Sequence, residues 1–180
     1  MSPFRSILDS AQLIGHERYV EISCFRALGV RALGASDPSV LVALAAAARG
    51  HAWRARELED LLPVSLGLPD VDGSTRPPGE KMDDAISLLA AEPDDAEVAR
   101  ALARVLYPAM LASYRAHLVS GSDAADRHLS TVLRRVISDL EARVDDLSDV
   151  VALDDGPFVG TCSLLAELVE NSSGPFGSLG

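Results

Sequence analysis

The segment between Asp37 and Pro63 repeats small or apolar residues at the spacing of an α-helix without a break. Its intervals alternate between three and four positions, and residues at that spacing share one helix face. Asp37 can accept hydrogen bonds from the first free N–H groups and Pro38 suits the first helical position, so the start is also marked. One member of the stripe is titratable. The stripe consists of Leu41, Leu44, Ala48, His51, Ala55, Leu58 and Leu62.

Three further segments carry comparable stripes. We expect long helices over residues 4–33, 37–62, 94–119 and 125–151, with Pro108 loosening the third one locally, because proline lacks the N–H that a helix interior requires. No helix can hide its own apolar stripe from water, so the four should pack together.

Composition agrees with this reading. Hydrophobic residues make up 48% of the chain but aromatic residues only 4%, so the core must be built from Ala, Leu and Val, which favours closely packed helices. No alternation typical of a strand is present. The sequence therefore predicts an all-α protein.

The connections between the long helices differ greatly in length. Residues 63–79 are rich in Pro, Gly and Asp and predict a long surface connection between the second and third helices, followed by a short helix within 81–92. We expect the helical bundle to occupy residues 1–152. Residues 153–180 should form a C-terminal extension with a short helix and a flexible tail, in which Phe176 is the residue able to dock on a neighbouring surface.

Charge restricts the classes of partner. The formal net charge of −11 argues against nucleic acid and against an anionic membrane surface, because both would repel the chain. Cys24 and Cys162 lie among apolar neighbours and are expected to be buried thiols rather than a disulfide framework. The first ten residues lack a basic stretch followed by an apolar core, so we expect a cytoplasmic protein.

Two carboxylates of the first helix, Glu17 and Glu21, fall on or beside its buried face. If both are buried, one must be protonated or paired with Arg18 or His51. His51 has two readings: a core histidine that donates a hydrogen bond to one of these glutamates, or a general acid or base that faces a pocket.

The third helix carries two tyrosines on one face. Tyr107 and Tyr114 are seven residues apart, and with Met110 they are candidates to line a pocket, although packing explains the same spacing. By contrast Trp53, Arg49, Arg54 and Arg56 lie off the inner stripe of the second helix and are expected to face solvent or an interface.

Three stretches resemble the ferritin-like superfamily, in particular its short actinobacterial members and the related tRNA hydroxylases. They read GHAWRARELEDLLP, LYPAMLASYRAHL and DRHLSTVLRRVISDLE. The resemblance implies a four-helix bundle with a long crossover between helices 2 and 3. It also implies a homodimer formed through helices 1 and 2.

Iron-binding members of that superfamily supply a glutamate from helix 1, Glu-x-x-His from helix 2, a glutamate from helix 3 and a second Glu-x-x-His from helix 4. Here Glu21 and His51 match the first glutamate and the first histidine, and Asp139 can stand for the last glutamate. Ala48 replaces the glutamate of the first motif, and Ala142 replaces the histidine of the second.

The third-helix carboxylate is also missing, since its position falls near Met110. A pair of irons needs bridging carboxylates to offset its charge, so the resemblance predicts a degenerate site that holds no di-iron centre. We expect no cofactor. Any single metal would be bound by Glu21, His51 and Asp139, with Glu17 as a further ligand.

Three functions remain open from the sequence. The first is a metal-free ferritin-like module that binds a small apolar molecule or a protein. The second is a metal-free acid/base enzyme that uses His51 and Glu21, with Glu17 or Asp139, on a small substrate. The alternative to both is a non-heme iron oxygenase or hydroxylase with an unusual ligand set.

Overall fold

The structure is a computed structural model that describes residues 6–34, 37–64, 69–120, 127–151, 159–172 and 174–177. Within these ranges the chain is helical and contains no β-strand, so the all-α prediction is confirmed. The helices are α1 Ile7–Ala32, α2 Pro38–Glu59, α3 Val71–Ser74, α4 Glu80–Ala91, α5 Asp95–Ala101, a π-helical segment Leu102–Leu106, α6 Tyr107–Ser120, α7 Arg127–Val150 and α8 Gly160–Asn171.

Local hydrogen bonds start the two N-terminal helices where the residue types indicate. Ser6 and Asp9 form a reciprocal capping box at the start of α1. The Asp37 carboxylate accepts hydrogen bonds from the N–H groups of Ser39 and Val40, at 2.7 and 3.3 Å, and Pro38 is the first residue of α2. The predicted start of the second helix is therefore confirmed.

The third long helical segment changes its hydrogen-bonding pattern next to Pro108, where the sequence predicts a local loosening. Residues 95–120 are helical throughout, but residues 102–106 form a wider π turn directly before Tyr107 and Pro108. Pro108 has no N–H with which to continue the α-helical pattern, and a π turn accommodates that loss. The predicted local loosening at Pro108 is confirmed.

Hydrogen-bonded pairs give the relative directions of the long helices. Pairing of Arg18 with Glu59 and of Glu21 with Arg54 makes α1 and α2 antiparallel. Contacts of Arg54 with Asp139 and of Glu57 with Arg135 make α2 and α7 antiparallel as well. Tyr114 and His117 of α6 contact Glu21 and Glu17, so α6 runs antiparallel to α1.

Aliphatic side chains fill the space between these helices. A single large cluster joins buried residues of all the long helices with Met82 and Leu89 of α4 and Leu165 of α8. Cys24 and Cys162 are free and buried within the cluster, as expected. No described helix has both the length and the continuous apolar character required to cross a bilayer.

The C-terminal part packs back onto the helices. Helix α8 lies against α4 and α5, and Phe176 is only 2% exposed. The Phe176 ring lies 4.6 Å from the Tyr114 ring, and its carbonyl oxygen is 3.1 Å from Nδ1 of His16. The predicted docking of Phe176 is confirmed, and the ring covers one side of Tyr114.

The connection between α2 and α4 is less irregular than predicted. Residues 65–68 of this connection lie outside the described residues. The short helix α3 follows them, and the Asp70 carboxylate at its start accepts a hydrogen bond from the Gly73 N–H at 2.7 Å. Helix α3 sits directly on α1, where a Cβ atom built on Gly15 would lie 2.0 Å from the Ser74 carbonyl oxygen. Only glycine permits that approach.

Gly15→Ala should therefore destabilise the protein by about 1–3 kcal/mol, because the methyl group forces two backbones apart. Gly29→Ala in the same helix is the matched control, since a Cβ atom there meets only Cε2 of Phe25, at 4.0 Å. The control should gain about 0.5–1 kcal/mol from lower chain entropy. Urea unfolding followed by circular dichroism measures both, and equal stability of the two variants would contradict the contact.

Candidate functional site

His51 is held between two partners from different helices. Its Nδ1 atom lies 2.5 Å from Oε2 of Glu21 on α1, and its Nε2 atom lies 2.9 Å from the Tyr107 hydroxyl on α6. All three side chains are completely buried. Burial, and after it the nearby charge of Arg54, lowers the pKa of His51, so the imidazole is neutral. Its Nδ1–H then donates to Glu21 while Nε2 accepts from the Tyr107 O–H.

Arg54 lies one turn after His51 and joins the same cluster. Its Nε donates to Oε1 of Glu21 at 2.9 Å, and its Nη1 donates to Oδ2 of Asp139 on α7 at 2.5 Å. Nη2 lies 2.9 Å from His51 Nδ1, which already carries the proton shared with Glu21, so that contact is an electrostatic approach. The guanidinium has no exposed surface. The expectation that Arg54 faces solvent is wrong.

Glu21 is ionised although it is buried. Burial by itself raises the pKa of its carboxyl, but the charge of Arg54 and the hydrogen bonds from His51 and Arg54 outweigh it and lower the pKa to about 2. Burial acts in the opposite sense on Arg54, yet the Glu21 charge raises the pKa of the guanidinium above its usual range. The pair is therefore a true buried ion pair.

Tyr114 completes the set of donors around Glu21. Its hydroxyl donates to Oε1 at 2.6 Å, beside the Arg54 Nε–H. Burial raises the pKa of both Tyr107 and Tyr114, so both hydroxyls remain protonated donors. Glu21 thus accepts hydrogen bonds from His51, Arg54 and Tyr114, which satisfies a carboxylate that has no access to water.

Glu17 belongs to a neighbouring pair rather than to this network. Its Oε1 atom lies 2.6 Å from Nδ1 of His117 on α6, and both side chains are buried. The sequence predicted that, if both glutamates are buried, one of them is protonated or paired with Arg18 or His51, and the pairing of Glu21 with His51 meets that prediction. Arg18 instead donates to Glu59 at 2.8 Å and to the Thr75 hydroxyl at 2.5 Å.

The structure thus brings together most of the residues that the sequence singled out. Glu21, His51 and Asp139 meet around Arg54, and Tyr107 and Tyr114 bond to the same network. The side chains of Tyr107, Met110 and Tyr114 are all completely buried. Their role in lining a pocket stays a prediction.

The donor set of the network suits a guanidinium rather than a metal. Within the described ranges, no group of three or more His, Cys, Asp and Glu side chains is placed to hold a metal ion. Arg54 bonds to both Glu21 and Asp139 and so lies between two of the three expected ligands. Ala48 is buried beside the network but provides no ligand atom, while Ala142 is exposed and faces away from it.

Comparison with protein-family models, with curated proteins and with solved structures gives no match. Function is therefore inferred from the chemistry of these contacts.

Arg54→Met should destabilise the protein by about 3–5 kcal/mol, because it keeps much of the side-chain volume but leaves buried Glu21 without its cation. Arg115→Met is the control: it removes an ion pair with Glu141 whose side chains are 56% and 49% exposed. The control should change stability by about 1 kcal/mol or less. Urea unfolding measures both variants, and an equal loss in the two would show that the Arg54 network contributes no more than a surface pair.

Proposed function

We propose that this chain is a ferritin-like helical protein in which a buried arginine has taken the place of the metal, and that it acts as a binding module. The observation that carries the proposal is the position of the Arg54 guanidinium between Glu21 and Asp139. Those two carboxylates and His51 occupy the positions that the resemblance assigns to metal ligands.

A guanidinium meets the electrostatic requirement of such a site. It brings a permanent positive charge and five N–H donors in a planar fork, so it can neutralise one buried carboxylate and bond to a second. It differs from a metal in having no open coordination position for oxygen or substrate. The replacement therefore preserves the fold and removes the chemistry.

The helix directions support the ferritin-like part of the proposal. Helices α1 and α2 are antiparallel, α7 is antiparallel to α2, and α6 is antiparallel to α1. Since α2 and α6 are both antiparallel to α1, they run parallel to each other. Residues 60–94, which include α3 and α4, connect α2 to the helical segment 95–120 that ends with α6. These directions are the ones that the proposal expects of a four-helix bundle with a long crossover between its second and third helices.

Burial favours binding over catalysis. A general acid or base must come within hydrogen-bond reach of its substrate, but Glu21, His51 and Tyr107 have no exposed surface. The metal-free acid/base enzyme is the second candidate, favoured by the fixed tautomer of His51 between Tyr107 and Glu21. The iron oxygenase alternative requires Arg54 to leave both of its carboxylate partners.

The outer face of α1 and α2 supports a homodimer. Phe25 is 42% exposed there, beside a cleft of about 420 Å³ between the two helices. Arg26 lies toward one end of this cleft and Asp60 at the other, and neither forms an ion pair with any other described residue. A second copy related by a twofold axis would bring Arg26 to the partner subunit's Asp60, so the face is self-complementary in charge.

Restoring the missing ligand should restore metal binding. The double variant Ala48→Glu/Arg54→Ala rebuilds Glu-x-x-His on α2 and removes the competing guanidinium, so it should bind Co²⁺ at one or two ions per chain. Absorption spectroscopy of Co²⁺ and metal analysis after iron loading give the readouts. If the apo variant is unfolded, Co²⁺-dependent recovery of helical circular dichroism serves instead.

The wild-type chain is the control for that experiment. It should take up no stoichiometric iron or Co²⁺, and a chelator should leave its melting temperature unchanged. Stoichiometric iron in the wild type, lost on Glu21→Gln, would contradict the binding-module proposal and support the iron oxygenase.

Phe25→Asp should convert a dimer into a monomer, because it places a desolvated charge within the proposed interface. Val119→Asp is the matched control, since Val119 is 84% exposed on α6 and lies away from this face. Light scattering after size exclusion reports the mass of each. A wild-type monomer, or a Phe25→Asp dimer, would remove the α1–α2 interface from the proposal.

A further inference from the structure

We propose that a second cleft, between α2 and α7, binds a small aromatic carboxylate. The cleft encloses about 220 Å³ and is separate from the α1–α2 face, so the inference does not depend on the homodimer. It is lined by Ala46, Arg49, Gly50, Trp53, Asp139 and Arg143.

Among the side chains that line this cleft, arginines outnumber carboxylates by two to one, although the whole chain is acidic. Arg49 and Arg143 line it, and the Arg54 guanidinium lies directly beneath its floor. The one carboxylate among the lining residues, Asp139, already accepts a hydrogen bond from Arg54 at 2.5 Å. In a protein of net charge −11, a cleft lined by two arginines and one carboxylate favours a small anion more than an average part of the surface does.

The two lining arginines differ in how far they are already engaged. Arg143 pairs through Nη1 with Asp146 at 2.5 Å and lies 3.8 Å from Asp139, so part of its charge is used. Arg49 is exposed and forms no ion pair with any residue in the described part of the chain. Arg49 is therefore the cation that a ligand carboxylate would engage, and its planar fork suits a carboxylate in two parallel hydrogen bonds.

Size and the tryptophan wall indicate the rest of the ligand. Pockets for drug-sized molecules enclose about 300–1,000 Å³, so this smaller cleft suits a compound with a single ring. The Trp53 indole forms one wall, and the Arg135 guanidinium packs over the same ring at 5.4 Å from its centre. A flat ring can stack on the indole while its carboxylate reaches Arg49.

Gly50 keeps the cleft open. A Cβ atom at this position would lie 3.0 Å from Nη1 of Arg54 and 3.2 Å from Oδ2 of Asp139. Any side chain would therefore press on the buried ion pair and fill the floor of the cleft. Because Gly50 has no side chain, a ligand in the cleft can approach the Arg54 guanidinium as closely as the helix backbone allows.

Trp53 is the only tryptophan of the chain, so its fluorescence reports directly on occupancy of the cleft. We would titrate the full chain with benzoate and, separately, with benzamide, its neutral analogue. Benzoate should change the emission saturably, and benzamide should bind about tenfold or more weakly because it cannot form the charge-assisted pair.

Two arginine variants complete the experiment. Arg49→Gln should weaken benzoate binding about fivefold or more. Arg115→Gln removes an equal charge from an exposed residue of α6 that lines neither cleft, and it should change the benzoate affinity by no more than about twofold. Absence of a saturable change, equal binding of benzamide, or an Arg49→Gln variant that binds as the wild type does would each overturn the inference. None of these results depends on metal binding or on dimer formation, so they are separable from the tests of the proposed function.

Discussion

The buried ion pair between Arg54 and Glu21 is the interaction on which the arrangement of helices depends. Neither charge reaches water, so each must find its partners inside the protein. The partners come from α1, α2, α6 and α7, and the distances of 2.5–2.9 Å leave little room for a helix to slide. An apolar core tolerates many packings, but this network is satisfied in only one register.

The same pair explains why the centre of the protein is closed. A metal site of the type that the resemblance implies exchanges ligands and keeps a position open, whereas a guanidinium bonded on two sides is a fixed cation. Once it is in place, His51 and the tyrosines act as satisfied core groups. The two clefts on which our proposals rest lie on the surface instead, at the α1–α2 face and above Gly50, where the positive charge of the network comes nearest to solvent.

The sequence predicts the long helices and the buried histidine and carboxylates of the network, but it does not predict the arginine at its centre. Asp37 and Pro38 mark the start of α2, and Pro108 marks the π turn, because each acts through its own backbone. The apolar stripe through His51 accounts for only part of the buried face of α2, so it does not predict that Arg54 is buried. A second row of residues on the same helix also faces inward. Its members, Ala43, Ala47, Gly50 and Arg54, follow the same spacing of three or four residues and are all buried. A long side chain that ends such a stripe is a signal that could have been used.

The sequence by itself determined that the chain is helical and where its main helices begin and end, since capping, proline and apolar spacing act over a few residues. Only the tertiary structure decided which polar groups face each other, because those contacts join residues 30 to 100 positions apart. His117 pairs with Glu17, Ser74 meets Gly15, and Arg54 lies between Glu21 and Asp139. The reason is that partner choice depends on the rotation and register of whole helices, which the packing of all of them sets together.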